Sequence, residues 1–194
     1  MGFNEEFKLK DGRKVIIKRL RREDYEKDNN YKFVHDWLRS VNTFLGLEFN
    51  EKDIKQDEKF LYDHLSNEEG VIFIGATING KIIGSSSLEM KVNNAKMKHV
   101  GEWGIAIHPD FHNQGIGSKL LATLEKIALE RGIKKLEAEF FEGNENARRL
   151  YIDKLHYNIE GRRKFSGLLK GGKFVDKILI GKILDNSLIK KVDN

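Results

Sequence analysis

A chain of 194 residues with 39% hydrophobic and 34% charged side chains has enough apolar material for one α/β core and too mixed a composition for a fibre or a disordered polymer. It contains no cysteine, which excludes disulfides, thiol nucleophiles and cysteine-ligated zinc. The net charge of +5 is the small difference between 35 basic and 30 acidic residues spread along the chain, so it suits an anionic ligand without demanding a nucleic acid.

The start, Met1-Gly2-Phe3-Asn4-Glu5-Glu6, lacks the basic and apolar regions of a signal peptide, and the longest apolar stretches, Val71 to Ile74 and Ile178 to Ile180, are strand-sized. A cytoplasmic protein without a membrane span is expected. Lys8 to Leu20 alternates around Asp11-Gly12, the pattern of a hairpin whose second strand begins at Lys14. From Arg22 the spacing of Phe33, Val34, Trp37, Leu38 and Val41 predicts one amphipathic helical stretch. A looser segment, Asn42 to Asn50, leads to a second helix from about Glu51. Val71 to Ile78 and Lys81 to Met90 are strands joined by the turn dipeptide Asn79-Gly80, and Val100 to Ile107 is a further strand stopped before Pro109. Ser118 to Arg131 reads as a helix capped by Gly132, Lys135 to Phe141 as a strand, and Asn144 to Lys154 as a shorter helix. Two strands, His156 to Leu169 and Lys173 to Leu184, turn at Gly171-Gly172, and the tail from Asp185 is polar. No repeat or composition break divides the chain, so residues 1–194 are read as one domain with a core at about 14–184 and a tail at 185–194.

The run His112-Asn113-Gln114-Gly115-Ile116-Gly117-Ser118 leads from a strand into a helix. Glycines there let the backbone approach a ligand closely, and the helix aims unpaired N–H groups and its positive dipole end at the same spot, which suits a pyrophosphate. The third glycine of a dinucleotide-binding turn and the Gly-Lys-Ser/Thr ending of a nucleotide P-loop are both missing. Taken alone, the run is equally a plain tight turn.

The run resembles the pyrophosphate loop of the GNAT family of N-acetyltransferases, Gln/Arg-x-x-Gly-x-Gly/Ala, following a strand end such as Ile105-Ala106-Ile107-His108-Pro109. Asn144-Glu145-Asn146-Ala147-Arg148-Arg149-Leu150-Tyr151 is similar to that family's Asn-x-x-Ala-x-x-Leu-Tyr. Two departures stand out. His112 replaces Gln or Arg, and the Leu-Gly-Phe that follows the tyrosine becomes Leu155-His156-Tyr157, displaced by one residue.

The resemblance, closest to the ribosomal-protein branch, implies an α/β (α+β) fold. Its central sheet is mixed, mostly antiparallel and twisted, with about seven strands, flanked by about four helices and splayed between the fourth and fifth core strands. It implies acetyl-coenzyme A (acetyl-CoA) as co-substrate and direct attack by a primary amine through a tetrahedral intermediate, with no metal. Coenzyme A would contact the backbone of Ile105, Ala106 and Ile107, the loop His112, Asn113, Gln114, Gly115, Ile116, Gly117 and Ser118, and Asn144, Asn146, Ala147, Arg149 and Lys154. Tyr151 would be the general acid. Two carboxylates compete for general base: Glu139, five residues before Asn144 and twelve before Tyr151, which is placed slightly ahead, and Glu102, on the strand before the loop. Tyr151 as plain core, the carboxylates as solvated strand residues, and Arg148, Arg149, Lys154 and Lys119 as a solvated helix face are the bland readings.

The resemblance implies an acceptor groove formed by the first two helices and the last hairpin, residues 25–65 and 162–174. Glu48, Glu51, Asp53, Asp57 and Glu58 would attract a cationic amine, but an acidic helix start gives the same pattern. A protein N-terminus, a lysine, a polyamine and an aminoglycoside all stay open as acceptors, as does a homodimer. The rival readings are a non-catalytic acyl-CoA-binding or sensing module, which Tyr151 speaks against, and a basic RNA-binding domain, which the mixed charge speaks against.

Overall fold

The computed structural model of the chain describes residues 4–46, 48–49 and 51–185. Of the expectations above, those on Met1 to Phe3, on Leu47 and Asn50 within the looser segment, on the side chain of Glu51 and on the tail 186–194 lie outside the described residues. The eight described strands are hydrogen-bonded in the order β1-β2-β3-β4-β5-β6-β8-β7. The chain divides into two compact units, Met1–Leu88 with Gly104–Leu124, and Glu89–Trp103 with Glu125–Asn194.

In the first unit β1 (Asn4–Lys8) and β2 (Lys14–Arg19) form the expected hairpin, with Phe7 opposite Val15. β2 pairs antiparallel with β3 (Val71–Ile78), and β3 turns through Asn79 and Gly80, both at positive φ, into β4 (Lys81–Met90). Alternation explains β2: Val15 and Ile17 are fully buried, while Lys14 points to solvent. β3 is apolar almost throughout and almost wholly buried, as a strand covered on both faces must be.

The helical stretch from Arg22 is broken, where the spacing predicted continuity. Asp28 and Asn29 stand at φ 52 and 53 between α1 (Arg22–Glu26) and α2 (Asn30–Ser40). Asp and Asn tolerate this left-handed geometry better than other side chains, so two such residues can end one helix and start the next. Lys81 Nζ donates to Asp28 O at 2.7 Å and Asn30 Nδ2 to Gly80 O at 2.8 Å, which fastens the break to the β3–β4 turn. Leu20, Tyr25, Tyr31, Val34, Trp37 and Ile82 make the helix-side core, with α3 (Ile54–Ser66) packed against it through Ile54, Leu61, Tyr62 and Leu65.

In the second unit β5 (Val100–Ile107) pairs parallel with β6 (Lys135–Phe141) only from Val100↔Lys135 to Glu102↔Glu137. Beyond Glu137, β6 keeps β8 (Lys173–Ile183) as its antiparallel neighbour as far as Phe141↔Lys177. β7 (Asn158–Leu169) pairs with β8 and forms the sheet edge. α4 (Ile116–Glu130) contributes Leu120, Leu121 and Leu124 to the first unit's core and Ala128 to the second's, all within 1% of full burial. Among the described residues no helix is long and apolar enough to cross a membrane.

Candidate active site

In the first unit the end of β5 carries Ile105, Ala106 and Ile107, all half-buried. β4 approaches closely here: a Cβ added to Gly84 would stand 2.7 Å from Ile107 Cδ1. A 3-10 turn, Pro109–Phe111, follows. Asn113 takes φ 59 and Gly115 φ 85, and the loop then enters α4. Lys119 N bonds Gly115 O at 3.1 Å, the first rung of the helix, so the amides of Ile116, Gly117 and Ser118 precede the ladder and have no intrahelical acceptor. A Cβ on Gly115 would meet nothing within 4 Å, so the space beside the loop at this residue is open.

His112 acts as a brace for the loop. Its ring Nε2–H donates to Ile107 O at 2.9 Å, and Gln114 Nε2 donates to Asp110 O at 3.0 Å. Both side chains are spent on backbone carbonyls of the strand end and the 3-10 turn, while the amides of Ile116, Gly117 and Ser118 stay outside the helix ladder. This is the physical reason the departure from Gln or Arg at this position is compatible with the cradle.

His108 is an unforeseen member of this region. Its ring lies 5.7 Å from Phe33, 5.9 Å from Trp37 and 5.5 Å from Phe111, and its Nδ1 accepts from Asp110 N at 3.2 Å. Burial lowers its pKa below the ordinary 6.5, outweighing the pull of Asp110. The unfolded chain therefore binds this proton more readily, so the contribution of His108 to stability is present above about pH 6.5 and is lost as the pH falls. His108→Phe is expected to flatten the decline in urea-unfolding stability between about pH 7 and pH 5; an unchanged acid limb would show that other groups set it.

In the second unit α5 (Glu145–Arg148) starts from Asn144, whose Oδ1 accepts from Ala147 N at 3.1 Å, and Ala147 is buried. Asn144 is thus a helix cap, its Oδ1 engaged with the first turn of α5. α5 passes directly into a π-helical turn, Arg149–Lys154. Leu155 N reaches back five residues to Leu150 O at 3.1 Å, Tyr157 N bonds Tyr151 O at 2.9 Å, and His156 stands at φ 59. The π turn takes up one extra residue, which accounts for the displacement of Leu155-His156-Tyr157. His156 occupies the left-handed position that a glycine normally fills at a helix end.

The π turn carries Tyr151 into the core. Its ring meets Trp103 edge-on at 4.8 Å and Phe140 at 5.8 Å, and Trp103 also contacts Tyr157 at 5.3 Å. Burial raises the Tyr151 pKa well above its ordinary value, so the phenol stays protonated at neutral pH. Tyr157 is fixed in turn: its hydroxyl donates to Glu125 Oε1 at 3.3 Å, and Lys182 Nζ donates to both Glu125 oxygens at 2.8 Å. Trp103, Glu125 and Lys182 escaped the sequence reading, and Tyr157 entered it only as part of the displaced motif. The adjacency of Trp103 to Glu102 on a strand was the one available signal.

Strand alternation puts Glu102 on the face opposite Trp103 and Glu139 on the face opposite Phe140, so both carboxylates lie across the sheet from Tyr151. Glu102 pairs with Lys91 at 2.5 Å and raises that lysine's pKa. Glu139 pairs with Lys177 and, at 3.2 Å, with Arg163. Arg148 is taken by Asp153 at 3.2 Å, whereas Asn146, Arg149 and Lys154 are exposed. Among the described residues no cluster of His, Asp and Glu is arranged to hold a metal ion.

The model of the acetyltransferase (GNAT) family matches residues 31–157, and the chain belongs to this family. An acetyltransferase of Pectobacterium atrosepticum is 33% identical over 92 residues, which cover 47% of this chain and 60% of that protein. The chain thus spans less than two thirds of that curated relative's length. The crystal structure of a GNAT-family acetyltransferase from Streptococcus pneumoniae superposes with TM-score 0.72 at 25% identity, covering 88% of this chain and 99% of that one. A putative acetyltransferase from Salmonella typhimurium, solved with its cofactor acetyl-CoA, shares the fold with TM-score 0.67 at 18% identity over 88% of this chain and 94% of that one.

Proposed function

We propose that the chain is an N-acetyltransferase that moves an acetyl group from acetyl-CoA to a primary amine. One observation favours catalysis over mere binding of an acyl-CoA: the π turn packs Tyr151 edge-on against Trp103 and Phe140 at the motif position where the family resemblance implies the general acid. The amides of Ile116, Gly117 and Ser118, with the open backbone at Gly115, suit the pyrophosphate. Acetyl-CoA supplies the activated thioester. Tyr151 gives its proton to the departing sulfur, and a carboxylate receives the proton that the attacking amine loses.

Ion pairing separates the two candidate bases. Glu139 is bridged by two cations and would have to break charge-assisted bonds to both, whereas among the described residues Glu102 pairs with one, Lys91. Glu102 is therefore assigned as base and Glu139 as the anchor of the β7–β8 hairpin. Glu102→Gln is expected to lower kcat/KM by about 10²-fold or more, with partial recovery as rising pH supplies neutral amine, while Glu139→Gln changes it far less. Steady-state pH profiles of the two variants decide the matter, and the reverse ranking would restore Glu139 as the base.

A further inference from the structure

Residues 161–175 contain five cationic side chains and no acidic one, in a chain whose charges are otherwise mixed. Two of the five are already used: Arg162 bonds Glu142 at 2.8 Å and Asp176 at 3.0 Å, and Arg163 bonds Glu139. Lys164, Lys170 and Lys173 are exposed, the last two flanking the Gly171-Gly172 turn. Apolar side chains stand out beside them. Leu168 and Phe174 face each other in register at 64% and 61% exposure, and Phe165 is 73% exposed.

Phe165 is also strained, with φ 50, a conformation that bulky residues rarely adopt. Its N–H is held by Asp176 Oδ1 at 2.9 Å, and Asp176 is held by Arg162. The fold thus keeps a strained, solvent-facing aromatic in place and gains no burial from it, which points to use at a surface. Irregularities between Ile159 and Gly161 and between Arg163 and Gly167 interrupt β7 and work against extension of the sheet by another strand. Two copies meeting hairpin to hairpin would bring like charges together.

We propose that this hairpin docks the acetyl acceptor, and that the acceptor is a polypeptide carrying acidic residues and an apolar side chain near its reactive amine. The inference rests on the acetyl-transfer reading and narrows its substrate. The exposed Lys164, Lys170 and Lys173 repel polyamines, aminoglycosides and lysine-rich tails, and attract carboxylates. The Leu168–Phe174 pair gives an apolar peptide side chain a surface to cover, which a phosphate backbone does not need. Arg163 joins this surface to the sheet through Glu139, in the same unit as Tyr151 and Glu102.

The test uses the full chain and fluorescent peptides that share one N-terminal residue and differ downstream, an Asp/Glu/Leu-rich series against a Lys/Arg-rich series. Anisotropy reports binding and thiol release reports transfer, each with the parent and with Lys170→Glu/Lys173→Glu. The acidic series is expected to bind about tenfold tighter at low salt, and the double variant to invert the preference while leaving acetyl-CoA binding unchanged. Equal affinity for both series, a preference untouched by charge reversal, preferred acetylation of spermidine, or displacement of the acidic peptide by a single-stranded oligonucleotide at lower concentration would overturn the proposal. Hairpin-dependent peptide binding without thiol release would sink the transfer reading and keep the docking surface. Thiol release at one KM for all peptides would do the opposite.

Discussion

Tyr151→Phe is expected to lower kcat by about 10²–10⁴-fold while leaving the affinity for acetyl-CoA unchanged. The substitution removes one oxygen and keeps the ring that packs edge-on against Trp103 and Phe140, so folding should be preserved. Since burial raises the pKa of the phenol above its ordinary value, the parent's rate should show no alkaline limb belonging to this tyrosine within the physiological range. Isothermal titration with acetyl-CoA, set beside steady-state rates, separates the two effects. Full turnover in the variant with a good acceptor would remove Tyr151 from the mechanism.

Trp103→Ala should have the largest effect on stability. Trp103 is buried between Tyr151 and Tyr157, and its loss leaves a cavity that the strand cannot close, at a cost of about 3–5 kcal/mol. Trp103→Phe keeps an aromatic edge against both tyrosines and should cost much less. Urea unfolding of both variants checks the ranking. If the Phe variant is stable yet turns over slowly at an unchanged KM for acetyl-CoA, Trp103 also sets the position of the Tyr151 ring. Equal stability of the Ala variant and the parent would mean that this aromatic group is not a core element.

Period and turn chemistry made most of the fold legible. The Asn79-Gly80 and Asp11-Gly12 turns, the alternation of Lys14–Arg19 and the apolar spacing of Ile116–Glu130 each point one way, and the chain follows them. The break between α1 and α2 was hidden because the apolar residues whose spacing predicted the helix all follow Asp28 and Asn29, and what fixes the break is distant: Gly80 O and Lys81. The π turn was hidden for a related reason. One extra residue looks like a displaced motif until Leu155 N is seen to reach back to Leu150.

The site was legible where it depends on backbone and obscure where it depends on partners. Glycine and helix entry are written in the residues at 112–118, and the placement of Tyr151 in its motif. The ranking of Glu139 against Glu102 was not, because their cations, Lys177, Arg163 and Lys91, come from other strands and a loop. Nor was the bracing role of His112, whose partner is a carbonyl five residues back.

The most direct test of the account is release of free coenzyme A thiol from acetyl-CoA with a panel of amines and N-terminal peptides, in a protein whose lack of cysteine leaves no thiol of its own to react. The account predicts amine-dependent thiol release that falls sharply in Tyr151→Phe. Tight acetyl-CoA binding with no amine-dependent release across the panel would contradict it and make the protein an acyl-CoA-binding module.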